Sequence, residues 1–301
     1  MTALELDNVR KSYDSVVAVD DLCLTIPEGQ IFGLLGPNGA GKTTTIRMMV
    51  GIIMPDTGTV RIFGEPFERR HLREVGYLPE ERGLYRKARV QDLLLYLGQL
   101  NGLTRAGALR SAQEWAERLE LAQWLGRRVE ELSKGMQQKV QFITAMIHQP
   151  RFIIMDEPFA GLDPVNTANL MDILLELKRS GRTILFSTHR MDQVEKLCET
   201  ICLIDRGKSV LQGRLSDLKA RFGRRDVRIA YEGEGRFLVD NRLVAARTER
   251  GNCVELRLAP DADAQELLRL AAANGKVTRF ELIEPSLEEI FIEVVGARDG
   301  R

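Results

Sequence analysis

The strongest chemical signal in this chain is the run Gly36-Pro37-Asn38-Gly39-Ala40-Gly41-Lys42-Thr43. Its spacing is G-x-x-x-x-G-K-[ST], and it lies between an apolar strand pattern, Gln30–Leu35, and a helical pattern, Thr43–Val50. The glycines let backbone N–H groups turn inward as a nest for phosphate oxygens, and the following helix adds its positive end. Lys42 is placed to reach β- and γ-phosphates, and Thr43 offers a hydroxyl to Mg²⁺. A second signal is Ile153-Ile154-Met155-Asp156-Glu157, a buried strand that ends in two carboxylates. Such a strand brings Asp156 and Glu157 to the carboxyl edge of a sheet, where α/β folds bind ligands. Asp156 suits a metal held through water, and Glu157 suits a base or orienter for an attacking water. Between the two signals lies Leu132-Ser133-Lys134-Gly135-Met136-Gln137-Gln138, a helix start capped by Ser133 and equally an anion site at a positive helix end.

The elements that must hold these residues follow an alternating pattern. Strands are expected at Leu4–Leu6, Val16–Val19, Leu22–Ile26, Gln30–Leu35, Phe152–Met155, Thr183–Ser187, Ile201–Asp205 and Lys208–Leu211. Helical periodicity runs from Val90 to Trp124 with a break at Gly102, then over Gly135–His148 and Pro164–Arg179. Alternation of this kind predicts an α/β core with a largely parallel sheet. Near Phe222 the pattern changes to short strands (Val227–Tyr231, Phe237–Val239, Cys253–Leu258), a helix over Ala264–Ala273, another strand and a final helix over Leu287–Val295. The expected domains are therefore 1–221 and a small α+β domain over 222–301.

The 301 residues carry 43 basic and 43 acidic side chains, so no basic stripe invites a polyanion. No apolar run approaches the roughly 20 residues of a membrane span, and the N-terminus has no secretory pattern. Four cysteines without framework spacing and three scattered histidines predict neither disulfides nor a histidine-rich metal site. The expectation is a soluble, cytoplasmic protein.

Taken in order along the chain, these motifs resemble the ATP-binding cassette (ABC) family, and the resemblance covers residues 1–221. Gly36–Thr43 resembles its Walker A motif, Leu132–Gln137 its signature, Ile153–Glu157 its Walker B, Ala160-Gly161-Leu162-Asp163 its D-loop and Ser187-Thr188-His189 its switch histidine. The resemblance implies a P-loop NTPase fold of ABC type: a mixed sheet core, an antiparallel β subdomain and a helical subdomain at about 84–148. It implies ATP and Mg²⁺ as cofactors. Tyr13 would stack on adenine, and Gly36, Pro37, Asn38, Gly39, Ala40, Gly41, Lys42, Thr43 and Thr44 would surround the phosphates. Thr43, Asp156 and Glu80 would serve the metal, and Lys42, Glu157 and His189 would serve catalysis. Two cassettes, expected as a homodimer, would meet head to tail, with Ser133 and Gly135 contacting the γ-phosphate bound by the partner and Asp163 of the D-loop also binding nucleotide. The family role is to power a separate integral-membrane permease from the inner face of the membrane.

Two departures from the family pattern stand out. Lys134 and Met136 replace the second glycine and the glutamine of the usual signature. In Gly76-Tyr77-Leu78-Pro79-Glu80, which resembles the Q-loop, Glu80 occupies the glutamine's place. Either Glu80 sits by Mg²⁺, where its charge is tolerable only with the metal bound, or it turns to the permease-facing surface or pairs with Arg82. With the tail Pro285-Ser286-Leu287-Glu288-Glu289-Ile290-Phe291, these features resemble the exporter branch similar to the bacterial sodium-extrusion systems. The alternative function, a soluble cassette ATPase acting on nucleic acid or ribosomes, lacks tandem cassettes, coiled-coil insertions and a basic stripe.

Overall fold

The computed structural model describes every residue except 82, 223–225, 233–241, 251–252, 260–261 and 300–301. The described chain forms two compact units, Met1–Arg214 and Leu215–Arg301. In chain order the first contains β1 (Thr2–Tyr13), β2 (Val16–Pro27), β3 (Ile31–Leu35), α1 (Lys42–Met49), β4 (Thr57–Ile62), β5 (Glu65–Pro66) and β6 (Val75–Leu78). Helices α2 (Val90–Leu100), α3 (Arg105–Arg118) and α4 (Lys134–Met146) follow, then β7 (Phe152–Asp156), α5 (Pro164–Arg179), β8 (Thr183–Thr188), α6 (Met191–Leu197), β9 (Thr200–Asp205) and β10 (Lys208–Arg214).

The central sheet runs β10-β9-β3-β8-β7-β6, parallel throughout except for the antiparallel β10. Every residue of β3, β7 and β8 is buried, as expected of parallel strands covered on both faces. Register aligns their carboxyl ends: Leu35 lies opposite Thr188, and Ser187 opposite Asp156. The chain therefore leaves these three strands at one edge, as Gly36, Glu157 and His189.

A second, antiparallel sheet runs β2-β1-β4-β5. The sequence suggests a break between Val19 and Leu22, yet β2 continues through it. Asp21 takes a left-handed backbone (φ 56°) in a bulge, which inserts residues without ending the strand. One core serves both sheets: Leu4, Leu6, Leu24 and Ile26 from the antiparallel sheet meet Phe32, Leu34, Ile154 and Leu185 from the central one. Helix α1 enters the same core through Ile46 and Met49. Each such side chain contributes roughly 1.5–3 kcal/mol when buried, so the helix behind the glycine turn is firmly seated.

The second unit contains α7 (Leu215–Arg221), β11 (Asp226–Glu232), β12 (Val244–Arg250), β13 (Cys253–Leu258), α8 (Ala264–Asn274), β14 (Lys276–Ile283) and α9 (Leu287–Asp299). Its sheet, β12-β13-β11-β14, is wholly antiparallel. Leu267 and Ala271 of α8 share a core with Val227, Ile229, Val254 and Leu256. The division at Arg214 falls before the boundary expected at 221, because β10 pairs with β9 as far as Arg214 and α7 groups with the second unit. The strand expected at Phe237–Val239 lies outside the described residues.

Candidate functional site

Gly36 begins the turn after β3 with φ at 154°, and a Cβ there would stand 2.2 Å from the Ile204 carbonyl oxygen. Only glycine fits so close to backbone, so the first position of the motif is sterically fixed. Gly41 is the N-cap of α1 in a left-handed conformation, without a side-chain cap and with no acidic residue in the first turn. The first N–H groups of a helix have no intrahelical partners, so this end is an anion site by construction. Thr43 and Thr44 stand half-buried in that first turn, whereas Thr45 donates back to the Gly41 carbonyl.

Lys42 is 6% exposed. Its Nζ donates to the carbonyls of Gly36 (2.7 Å) and Pro37 (3.1 Å) and lies 3.8 Å from Glu157 Oε1. Burial pushes the ammonium pKa down, while the charges of Glu157, Asp156 and Glu80 push it up. An ammonium held this way keeps its charge buried at the turn, with a carboxylate partner that a phosphate oxygen could replace.

Ser187 organises the carboxylates. Its Oγ donates to Asp156 Oδ1 in a short hydrogen bond and accepts from the Glu157 backbone N–H at 3.0 Å. Asp156 is buried, and its Oδ2 has no hydrogen-bond partner. Glu157 holds a left-handed backbone at φ 48°, a conformation costing about 1–3 kcal/mol for a residue with a side chain. Its Oε1 lies 3.0 Å from His189 Nδ1, with the imidazole more than half exposed. A buried carboxylate oxygen without a partner costs about 1–3 kcal/mol or more, and a hard cation would satisfy it. Among the described residues no three acidic, histidine or cysteine side chains could hold a metal ion alone. The donors on hand are oxygens, the Asp156 carboxylate and the Thr43 hydroxyl. They suit a magnesium ion that completes its shell with water and phosphate.

The structure thus brings Lys42, Asp156, Glu157 and His189 together. Glu80 is exposed, but it stands at the rim of a small cleft that Asp156 and Glu157 also line. Arg82, its alternative partner, lies outside the described residues. Outside the glycine turn, Ser133, Gly135, Asp163 and Tyr13 are not among the groups acting on Lys42. Ser133 is exposed and accepts from the Met136 N–H as the cap of α4, and a Cβ on Gly135 would meet open space. Asp163 caps α5 through the Asn166 N–H at 2.9 Å, a hydrogen bond that holds its carboxyl below the usual range. Tyr13 ends β1 exposed, with the Lys11 ammonium 5.8 Å from its ring centre. Sequence reasoning missed Ser187 as a bridge and the glutamines of α4. Gln138 donates to the Pro158 carbonyl, and Gln141 to those of Pro79 and Glu81.

Comparison with known proteins settles the family. The model of the ABC transporter family matches residues 19–160, and the model of the C-terminal domain of DrrA1-3-like ATP-binding proteins matches residues 213–295. The ABC transporter ATP-binding protein YhaQ of Bacillus subtilis (strain 168) is 46% identical, covering 98% of this chain and 99% of that protein. The chain belongs to the ABC transporter ATP-binding family. The Nod factor export ATP-binding protein I of Cupriavidus metallidurans (strain ATCC 43123 / DSM 2839 / NBRC 102507 / CH34) is 37% identical over 98% of both chains. A solved ATP-binding subunit of an ABC transporter superposes with a TM-score of 0.67 at 30% identity, over 73% of this chain and 93% of that one. This chain is accordingly an ATP-binding, ATP-hydrolysing subunit of an ABC transporter, with an α/β cassette and an appended DrrA-like domain. No helix among the described residues is long and apolar enough to cross a membrane. ATP-binding subunits of this family pair with membrane permease components. The nucleic-acid alternative finds no support in these relatives.

Proposed function

We propose that two copies of this chain close head to tail around two ATP molecules on the cytoplasmic face of a membrane and drive export through the permease. One observation carries the reading most: Asp156 Oδ2 is buried without a partner at the strand edge that the buried Lys42 ammonium also reaches through Glu157. A site left this incomplete is finished by a ligand with both cation and phosphate. Residues Gly36 to Thr44 hold the phosphates, Tyr13 stacks on adenine, and Thr43, Asp156 and Glu80 hold Mg²⁺. The metal, when bound, supplies positive charge against the β- and γ-phosphate oxygens.

The chain's own residues divide the remaining work. Lys42 exchanges its contact with Glu157 for the phosphates, which frees the carboxylate to take a proton from the attacking water. His189, already hydrogen-bonded to Glu157, keeps that carboxylate aimed and offers its exposed edge to the γ-phosphate. Ser133 and Gly135 open α4, with Ser133 exposed and open space around Gly135, which supports their completing the partner's site, to which Asp163 also contributes. Residues 1–214 form the nucleotide-binding domain, with α2–α4 as its helical subdomain. The second unit is an accessory domain that stabilises or regulates the dimer. No nucleic acid takes part. Export as the direction rests on the Nod factor relative, whose name states it.

Light scattering on Glu157→Gln tests the shared site. The amide keeps the shape of the side chain and loses the base, so Mg²⁺ with ATP should convert monomers to a persistent dimer. A protein that binds ATP and stays monomeric contradicts the head-to-tail sandwich.

A further inference from the structure

Helix α4 carries two glutamines three residues apart on one face, and together they grip both sides of the carboxylate cleft. Gln138 Nε2 donates to the carbonyl of Pro158, the residue after Glu157, at 2.8 Å. Gln141 is 4% exposed, and its Nε2 donates at 3.0 Å to each of the carbonyls of Pro79 and Glu81. A primary amide has two N–H donors. Here both are spent on the carbonyls of the residues on either side of Glu80. Glu80, Gln138, Gln141, Asp156 and Glu157 line one cleft, so the helix that begins at Ser133 also sets where the carboxylates stand.

The arrangement is electrostatically uphill. Glu80 adds a third negative charge to a cleft that already holds Asp156 and Glu157, and like charges that close repel. Segment 79–81 lies outside helix and strand, so no backbone ladder holds it there. Its strand anchor, β6, is pressed against α4: a Cβ on Gly76 would lie 2.2 Å from the Ala145 carbonyl oxygen, so the two elements move as one piece. Against this fixed frame, the buried amide of Gln141 is the group that holds the loop in place.

We infer that Gln141 is a positioning residue: it holds Glu80 over the cleft and thereby sets how strongly nucleotide binding depends on a divalent cation. The inference rests on the placement of Glu80 beside the phosphates proposed above. With the cation present, the Glu80 carboxylate is neutralised. Without it, the carboxylate repels a triphosphate already carrying several charges. Releasing the loop lets the exposed Glu80 side chain swing into water, where screening removes most of that repulsion.

The test is calorimetric titration of ATP into the full-length chain, in EDTA and in saturating MgCl₂. It compares wild type, Glu80→Gln, Gln141→Met and the double variant, with melting curves checking that each is folded. Methionine conserves volume and removes both donors; Gln141→Asn, too short to reach both carbonyls, replaces it if the methionine variant does not fold. Glu80→Gln should tighten ATP binding in EDTA by about threefold to tenfold and change it little in Mg²⁺. Gln141→Met should reproduce most of that gain in EDTA and add nothing in the Glu80→Gln background. Equal affinities of wild type and Glu80→Gln in EDTA would remove Glu80 from the phosphates and overturn the underlying reading. A Glu80→Gln gain that Gln141→Met does not share, or a Gln141→Met effect equal in EDTA and Mg²⁺ and additive with Glu80→Gln, would overturn the role of Gln141 alone.

Discussion

The two units handle charge in opposite ways. On the sheet of the second unit, charges meet in pairs: Arg228 with Glu255 at 2.7 Å and Glu281 at 3.3 Å, Arg257 with Asp226 at 3.1 Å, Lys276 with Glu232 at 3.1 Å. Glu255 beside Arg228 and Asp226 beside Arg257 raise both guanidinium pKa values. These groups are partly to largely open to water, and pairs screened in this way contribute little to stability. At the strand edge of the first unit, Lys42 and Asp156 are buried, the lysine with its pKa pushed down and the aspartate with an oxygen unpaired. Glu157 answers the lysine across 3.8 Å, but among the described residues no side chain answers the free Asp156 oxygen. The charges named on the second unit's sheet are paired as they stand, whereas the Asp156 carboxylate at the first unit's strand edge is completed only by a ligand.

If this contrast is right, the largest effect should come from the first unit. Glu157→Gln removes the base and should slow phosphate release by about 10²–10⁴-fold while ATP binding persists. Lys42→Ala removes the charge facing the β- and γ-phosphates and should cost hydrolysis on the order of 10²–10³-fold, as for a transition-state charge donor. Wild-type turnover by a folded Lys42→Ala chain would break the comparison at its buried end.

How much of this was legible in the sequence depended on whether the signal was local. The glycine turn, Lys42 and the Asp156-Glu157 pair announce themselves by spacing on the ends of apolar runs. The strand β4 does not, because its Thr57–Ile62 run is mostly exposed and starts beside Gly58 at a positive φ. Ser187 read only as part of a motif with His189, since its bond to Asp156 joins neighbouring strands rather than neighbouring residues. The grip of Gln141 on Pro79 spans 62 positions, which no periodicity encodes. The domain division fell at Arg214 for a similar reason: the end of β10 is decided by its pairing with Thr200 on β9.

Smaller effects sharpen the contrast from the other side. Arg228→Met should leave ATP hydrolysis unchanged and shift the urea midpoint only slightly; a lost activity would mean the second unit's charges reach the nucleotide. The mildest test is acid. Asp163 is titrated downward by the Asn166 N–H, so its cap stabilises α5 fully above the unfolded pKa and is lost as pH falls through the lowered folded value. Asp163→Asn should therefore melt like wild type once pH has fallen through that lowered value and differ from it only at higher pH.

Asp156→Asn tests the central claim most directly, because the amide can still accept from Ser187 while the unpaired carboxylate is gone. Melting is followed with and without Mg²⁺-ATP at about a hundred times its dissociation constant, a concentration that stabilises a binding-competent protein by roughly 2.7 kcal/mol. The ligand-free variant should be at least as stable as wild type, since a buried charge has been removed, and the nucleotide-induced shift should collapse. A ligand-free Asp156→Asn chain that melts well below wild type and keeps the full shift with Mg²⁺-ATP would contradict the account, making Asp156 a structural residue.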